Sequence, residues 1–424
     1  MSIIIEKPKS RIDDQELREN LKTFIKDKNL NKILLLPPDM TRLHSYAGRI
    51  TALLFELLND RCDIDIMPAL GTHDPMTKEE CEAFFGPLVP YDNIIPHRWK
   101  TDITKIGTVP ASYVKEMSEG LLDEPIDIEI NKKLLDPDYD LILSIGQVIP
   151  HEVVGMANYS KNIFVGCGGQ TAINKSHFLG AVYGLEKLMG KDHSPVRKIF
   201  DYAEEHFIQK IPLQYILTVT TVNQEDVNLE GLYIGRDRQL FEKAVSLSQQ
   251  RNFNLLDKSP EKVVVYLDER EFKSTWLGNK SIYRTRMAIR DGGDLIILAP
   301  GVRKFGEDLE IDQLLRKYGY VGRDKILQLY YENEDLQANP SAAAHLIHGS
   351  SDSRFRITYA VRHLSRDEIE KAGYLYADLD ETLQRYNPRT LKQGYNRMPD
   401  GEEIYYISNP AVGLWASRDR IIED

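Results

Sequence analysis

Three histidines, one lysine and one tetrapeptide carry the side chains whose types and positions suggest chemistry: His73, His151, His177, Lys161 and Asp39-Met40-Thr41-Arg42. Imidazoles at His73 and His151 can act as general acid or base near neutral pH. An amine such as Lys161, lowered in pKa by burial, can be a nucleophile or a cofactor tether. At a helix start, the Thr41 hydroxyl, the Arg42 guanidinium and nearby amides can hold a phosphate or carboxylate. Gly166, Gly168 and Gly169 make a turn of phosphate-binding size, although the spacing is not G-x-G-x-x-G. His177 shares a helical face with Ala181, Gly184, Leu185 and Leu188, and a neutral imidazole there would suit nickel, copper or zinc. Each feature has a plain alternative: a solvated arginine, a loop or capping histidine, a surface lysine, a satisfied core histidine. His97, in IIPHRWK, is read as structural. Taken singly the plain readings mostly win; together, polar groups gathered at strand ends indicate an enzyme.

The elements that must position these groups follow from periodicity. KILLL (32–36) reads as a buried parallel strand ending at Pro37-Pro38. It is followed by a helix with Ile50, Leu53, Leu54, Leu57 and Leu58 on one stripe. A second strand, 63–70, leads to Gly71-Thr72-His73, and Thr77 caps a helix from about residue 78. The strand Leu141–Ile145 runs into the His151 loop, a further strand Ile163–Val165 leads to the glycines, and a helix carries His177. Helices are expected over 197–210 and 239–251. Repeated strand, polar loop and helix predict a mostly parallel sheet with helices on both faces, whose ligands sit outside the carboxyl ends of the strands. Past a polar segment at 252–261 the pattern restarts. It gives strands at 262–267, 294–298, 356–361 and 405–408, with helices around 280–290, 308–318, 322–335 and after Ser365.

At 424 residues the chain is long enough for two domains. They are expected at 1–255, joined by the C-terminal segment 409–424, and at 256–408. The fold class is therefore α/β, two domains each with a mostly parallel sheet flanked by helices, and the active site in the cleft between them. A net charge of −11 without a basic block argues against nucleic acid. No run approaches a membrane span, and three scattered cysteines give neither a disulfide framework nor a metal motif. A cytoplasmic protein is expected.

The set D-x-T-R at 39–42, GTH at 71–73, Pro150-His151, Lys161 and His177 resembles the nickel-dependent lactate racemase family, over nearly the whole chain. The resemblance implies a nickel-pincer nucleotide tethered to Lys161, ten residues after His151. His177, 26 residues after His151, would be the nickel ligand, and His73 and His151 the paired acid/base residues. Asp39, Thr41 and Arg42, with Gly166, Gly168 and Gly169, would bind the cofactor. Arg42, Lys280 and Trp276 would face a 2-hydroxy acid. The implied reaction inverts C2 through a flat 2-oxo acid, which explains a base on each side. Two departures stand out: the family's aromatic-Gln pair is Trp276-Leu277 here, and its glycine-rich run before the tether is ANYS (157–160). They imply a substrate other than lactate. The partners implied are this acid and, transiently, the enzymes that make the cofactor. Two rival readings remain: a zinc hydrolase using His73, His151 and His177, and a non-catalytic protein that binds a phosphorylated ligand.

Overall fold

The computed structural model describes residues 2–223 and 226–420. The chain forms two compact units, Met1–Leu179 with Leu188–Asn252 and Gly180–Lys187 with Phe253–Asp424. Up to residue 252 the strands are β1 (Ile3–Glu6), β2 (Lys32–Leu36), β3 (Asp63–Ile66), β4 (Ile103–Val109), β5 (Ile126–Asn131), β6 (Leu141–Gln147), β7 (Pro150–His151), β8 (Gly155–Met156), β9 (Leu213–Asn223) and β10 (Asp226–Gly235). The helices are α1 (Asp14–Ile25), α2 (Ala47–Leu58), α3 (Lys78–Phe85), α4 (Ala111–Met117), α5 (Gln170–Tyr183), α6 (Leu185–Leu188), α7 (Pro195–Phe207) and α8 (Arg238–Asn252).

The first sheet has the order β1-β10-β9-β6-β2-β3. Its strands β9, β6, β2 and β3 are parallel, and β10 and β1 add antiparallel at the far edge. KILLL shows why β2 is central. Ile33 and Leu35 join one core with Leu17, Leu21, Ile50 and Leu54, while Leu34 and Leu36 join the other with Tyr159, Phe164 and Phe200. Side chains alternate across a pleat, so a strand apolar at every position must be covered on both faces.

In the second unit the strands are β11 (Phe253–Leu256), β12 (Lys262–Tyr266), β13 (Asp294–Ala299), β14 (Arg356–Val361), β15 (Leu375–Asp378), β16 (Gly394–Arg397), β17 (Glu403–Ile407) and β18 (Leu414–Ser417). Among its helices are α9 (Thr275–Gly278), α10 (Lys280–Thr285), α11 (Leu309–Tyr318), α12 (Arg323–Glu332), α13 (Glu334–Ala338) and α14 (Pro340–His348). Its sheet runs β15-β14-β13-β12-β17-β16, parallel except for β16. The α/β class with two parallel-rich, helix-flanked sheets is as expected.

Several local expectations are corrected. The described part of segment 409–424, residues 409–420, groups with the second unit, where β18 pairs in parallel with β11, and not with the first; 421–424 lie outside the described residues. The expected strand Ile163–Val165 is a buried π-helical turn, Asn162–Gly166. A three-residue apolar run fits a buried helical turn as well as a strand. The strand expected over 63–70 stops at Ile66, before Pro68. The helix expected over 322–335 breaks at Asn333, whose backbone is extended (φ −131°). The helix expected over 280–290 is regular only to Thr285.

Candidate active site

β2 ends at Pro37-Pro38, and Asp39 then caps a tight 3₁₀ turn, Met40–Ser45. One oxygen of Asp39 accepts from the Thr41 amide (3.0 Å) and hydroxyl (2.5 Å). The other lies 2.6 Å from His73 Nδ1. Burial alone would raise the Asp39 pKa, but the His73 ring and Thr41 outweigh it and hold the carboxyl well below the usual carboxylate range. β2 and β3 are neighbours in the sheet, so residues just beyond their ends meet. With the carboxylate accepting, His73 Nδ1 is the donor, and in the neutral ring Nε2 is then the acceptor. Arg42, with non-helical backbone (φ −123°, ψ 39°), buries Nη1 without a hydrogen-bond partner among the described residues.

His151 sits in the β7–β8 hairpin, 5% exposed. Its Nδ1 accepts from the Val153 amide at 3.1 Å. A backbone N–H can only donate, so the neutral ring carries its proton on Nε2. Lys161 immediately precedes the π-turn. Such turns often occur at functional sites. Asn162 fastens this one to the sheet, donating to Leu36 O (3.2 Å) and Ser144 Oγ (2.9 Å). The Gly71 amide donates to Gly166 O at 2.8 Å, joining the GTH loop to the same turn.

The glycines have a packing reason. A Cβ on Gly168 would lie 1.9 Å from Phe164 O, and one on Gly169 2.5 Å from Glu129 Oε2. Glu129 already accepts from the Thr171 amide at the start of α5 (3.1 Å), so an anion there would meet a carboxylate. His97 is the clamp of this segment. Asn131 Nδ2 donates to its Nδ1 (2.9 Å), and its Nε2–H donates to Gly168 O (3.1 Å). Burial pushes its pKa down to about 4, as its structural reading requires.

His177, on α5, donates from Nδ1 to Ile173 O at 2.6 Å, which leaves the Nε2 lone pair for another partner. Burial lowers its pKa to about 4; Lys161 and His73 add to the lowering, while Glu152 opposes it. His177 therefore feels the charges of His73, Glu152 and Lys161, all in the first unit. Glu152 escaped the sequence reading, although its place directly after His151 was a signal.

In the second unit Trp276 lies on α9 and stacks on His345, with ring centroids 4.3 Å apart and planes 8° apart. Leu277 is buried, and Lys280, 6% exposed, opens α10 with its amine 5.7 Å from the Phe272 ring centre.

Residues 9–187 match the lactate racemase N-terminal domain. That match lies within the first unit, apart from the segment Gly180–Lys187. Two solved structures share the whole fold. One is a protein from Thermotoga maritima: TM-score 0.84, 24% identity, covering 97% of this chain and 100% of that one. The other is the lactate racemase apoprotein from Thermoanaerobacterium thermosaccharolyticum: TM-score 0.68, 18% identity, covering 98% and 100%. No curated protein sequence matches the chain. Every candidate residue of the first unit named above falls inside the matched lactate racemase domain. Among the described residues no three His, Cys, Asp or Glu side chains form a metal-ligating group, so the chain offers single donors there. His177 offers a neutral nitrogen already oriented through its other ring N–H, the usual arrangement of a metal-binding histidine. Arg42 has an unpartnered buried nitrogen for an anionic group. Cys167, its pKa pushed up to about 12 by burial, stays a thiol.

Proposed function

We propose that this protein is a racemase or epimerase that inverts C2 of a 2-hydroxy acid, with Lys161 as the tether of a nickel-pincer nucleotide and His177 as its nickel ligand. The observation that carries the reading is the His177 ring. Its Nδ1–H is spent on Ile173 O, so a neutral Nε2 remains, with the Lys161 amine nearby. When bound, the nucleotide would accept hydride from C2 and return it to the other face. His73, oriented by Asp39, takes the substrate hydroxyl proton on Nε2. His151 hydrogen-bonds the oxygen through Nε2–H, and its imidazolium form, with Nδ1 released from the Val153 amide, gives a proton back to the product oxygen, the two rings exchanging duties for the opposite enantiomer. Arg42 neutralises the substrate carboxylate or the nucleotide phosphate.

Trp276 and the apolar Leu277 favour an acid larger than lactate. The zinc hydrolase alternative needs a three-ligand set. Among the described residues no three His, Cys, Asp or Glu side chains form one, and His73 Nδ1 is committed to Asp39. Among them, too, no helix is long and apolar enough to cross a membrane. The proposed setting is the cytoplasm, where Cys62, Cys81 and Cys167 stay reduced and the cofactor-making enzymes are transient partners.

The deciding experiment is intact mass and peptide mapping of protein co-expressed with the cofactor-making enzymes. A mononucleotide-sized adduct on Lys161 with nickel is expected. An unmodified Lys161 under those conditions would refute the tether.

A further inference from the structure

The segment leading to Lys161 holds two consecutive non-glycine residues in left-handed backbone, Asn158 (φ 67°) and Tyr159 (φ 54°). This region is sparsely populated by L-residues, and a bulky aromatic residue enters it only when its surroundings hold it there. Asn158 partly accommodates itself, its Oδ1 accepting from the Tyr159 amide at 2.7 Å. Tyr159 buries its ring against Tyr215 and Phe241, with centroids 4.3 and 5.1 Å away.

Arg197, on α7, is fully buried at 0% exposure. Its guanidinium donates to Ser160 Oγ (2.7 Å), Met156 O (2.6 Å) and Asn158 O (3.1 Å), and its plane covers Phe241 at 4.5 Å. Ser160 in turn donates to Asp201 at 3.2 Å, and Asp201 pairs with Arg238 at 3.1 Å. Among the described residues no carboxylate pairs directly with this guanidinium, and burying one in that state is costly. All three of its acceptors lie in the five residues before Lys161, on both sides of the strained pair.

We propose that Arg197 is the positioning residue of Lys161. It staples the left-handed 156–160 turn from inside, so that the amine leaves the backbone at a fixed point. This deepens the tether assignment and rests on that reading for its purpose, although the staple itself can be measured without any cofactor.

The test is hydrogen exchange on the full chain for wild type, Arg197→Met and Ser160→Ala, with the rate of acylation of Lys161 by an amine-reactive ester in parallel. Arg197→Met should speed exchange of amides 157–162 by about tenfold, with β6 and β9 unchanged. The Lys161 labelling rate should change by about threefold. Ser160→Ala removes one anchor and keeps the core, so it should give a smaller loosening at the same amides. It decides the matter if Arg197→Met does not fold. Unchanged exchange at 157–162, or acceleration spread equally through β6 and β9, overturns the staple. An unmodified Lys161 in the co-expressed wild type overturns the tether alone.

Discussion

His73 and His151 are held in complementary states by partners with no freedom of role. A carboxylate must accept, so His73 presents a basic Nε2; a backbone amide must donate, so His151 presents Nε2–H. On the proposed racemase reading, this is the arrangement one enantiomer needs, a base and a donor at the same oxygen. For the opposite enantiomer His151 must act as the base, which requires its ring to give up Val153. Racemisation needs both rings, whereas the first oxidation to a 2-oxo acid needs only the base on the hydroxyl's side. His73→Ala and His151→Ala should therefore each cut racemisation by about 10²–10⁴-fold. In loaded enzyme each should keep a stoichiometric burst of 2-oxo acid from one enantiomer, the opposite one in the two variants. Bursts from both enantiomers in either variant would refute the division of labour. The burst is read by trapping the 2-oxo acid with a hydrazine.

The glycine turn is held against β5 by His97, a neutral ring bonded on both sides. Because burial brings its folded pKa to about 4, the unfolded ring binds a proton near pH 6.5 and the folded one does not. Stability is thus complete above about pH 6.5 and falls as pH drops toward 4, by roughly 1 kcal/mol per pH unit for this ring. Urea unfolding at pH 7, 5.5 and 4.5 should show His97→Gln less stable at pH 7 but flatter with pH. An unchanged slope would rule out the buried neutral ring. The strands β2, β3 and β6 were legible because apolar runs of strand length stop at polar loops, whereas the segment holding His97 is not placeable from the sequence, and the structural reading of His97 rests on that alone. The Asp39–His73 pair was not read, although adjacency of β2 and β3 would have suggested it. β9 and β10 were missed because threonines interrupt the apolar pattern. Thr218 and Thr220 are buried all the same, donating to Ser45 O (2.7 Å) and His44 O (2.8 Å), and so tie β9 to the Asp39 turn. Ile163–Val165 was too short to classify from its period.

The second unit is not one continuous stretch of chain. It includes Gly180–Lys187, and Glu186 in this segment accepts from Arg286 (2.9 Å) and Arg354 (2.7 Å). Arg323 donates to Val182 O at 2.9 Å. Arg286, its side chain 8% exposed, has Asp352 as its other carboxylate partner at 3.0 Å. Removing the charge of Glu186 therefore leaves a nearly buried guanidinium with half its counter-charge, and breaking such a pair costs more than forming it gains. Glu186 is itself about one-third exposed, so the loss is moderated by solvent. Glu186→Gln should destabilise the second unit by about 1–2 kcal/mol. Its unfolding can be followed separately through Trp276 and Trp415, with Trp99 replaced by Phe. A fragment beginning at Phe253 lacks the whole segment, losing the Val182 carbonyl as well as Glu186, and should be less stable than the Gln variant of the full chain. If the fragment instead unfolds at the same urea concentration as the second unit of the intact chain, then 180–187 is an appendage that contributes nothing to the stability of the unit it joins.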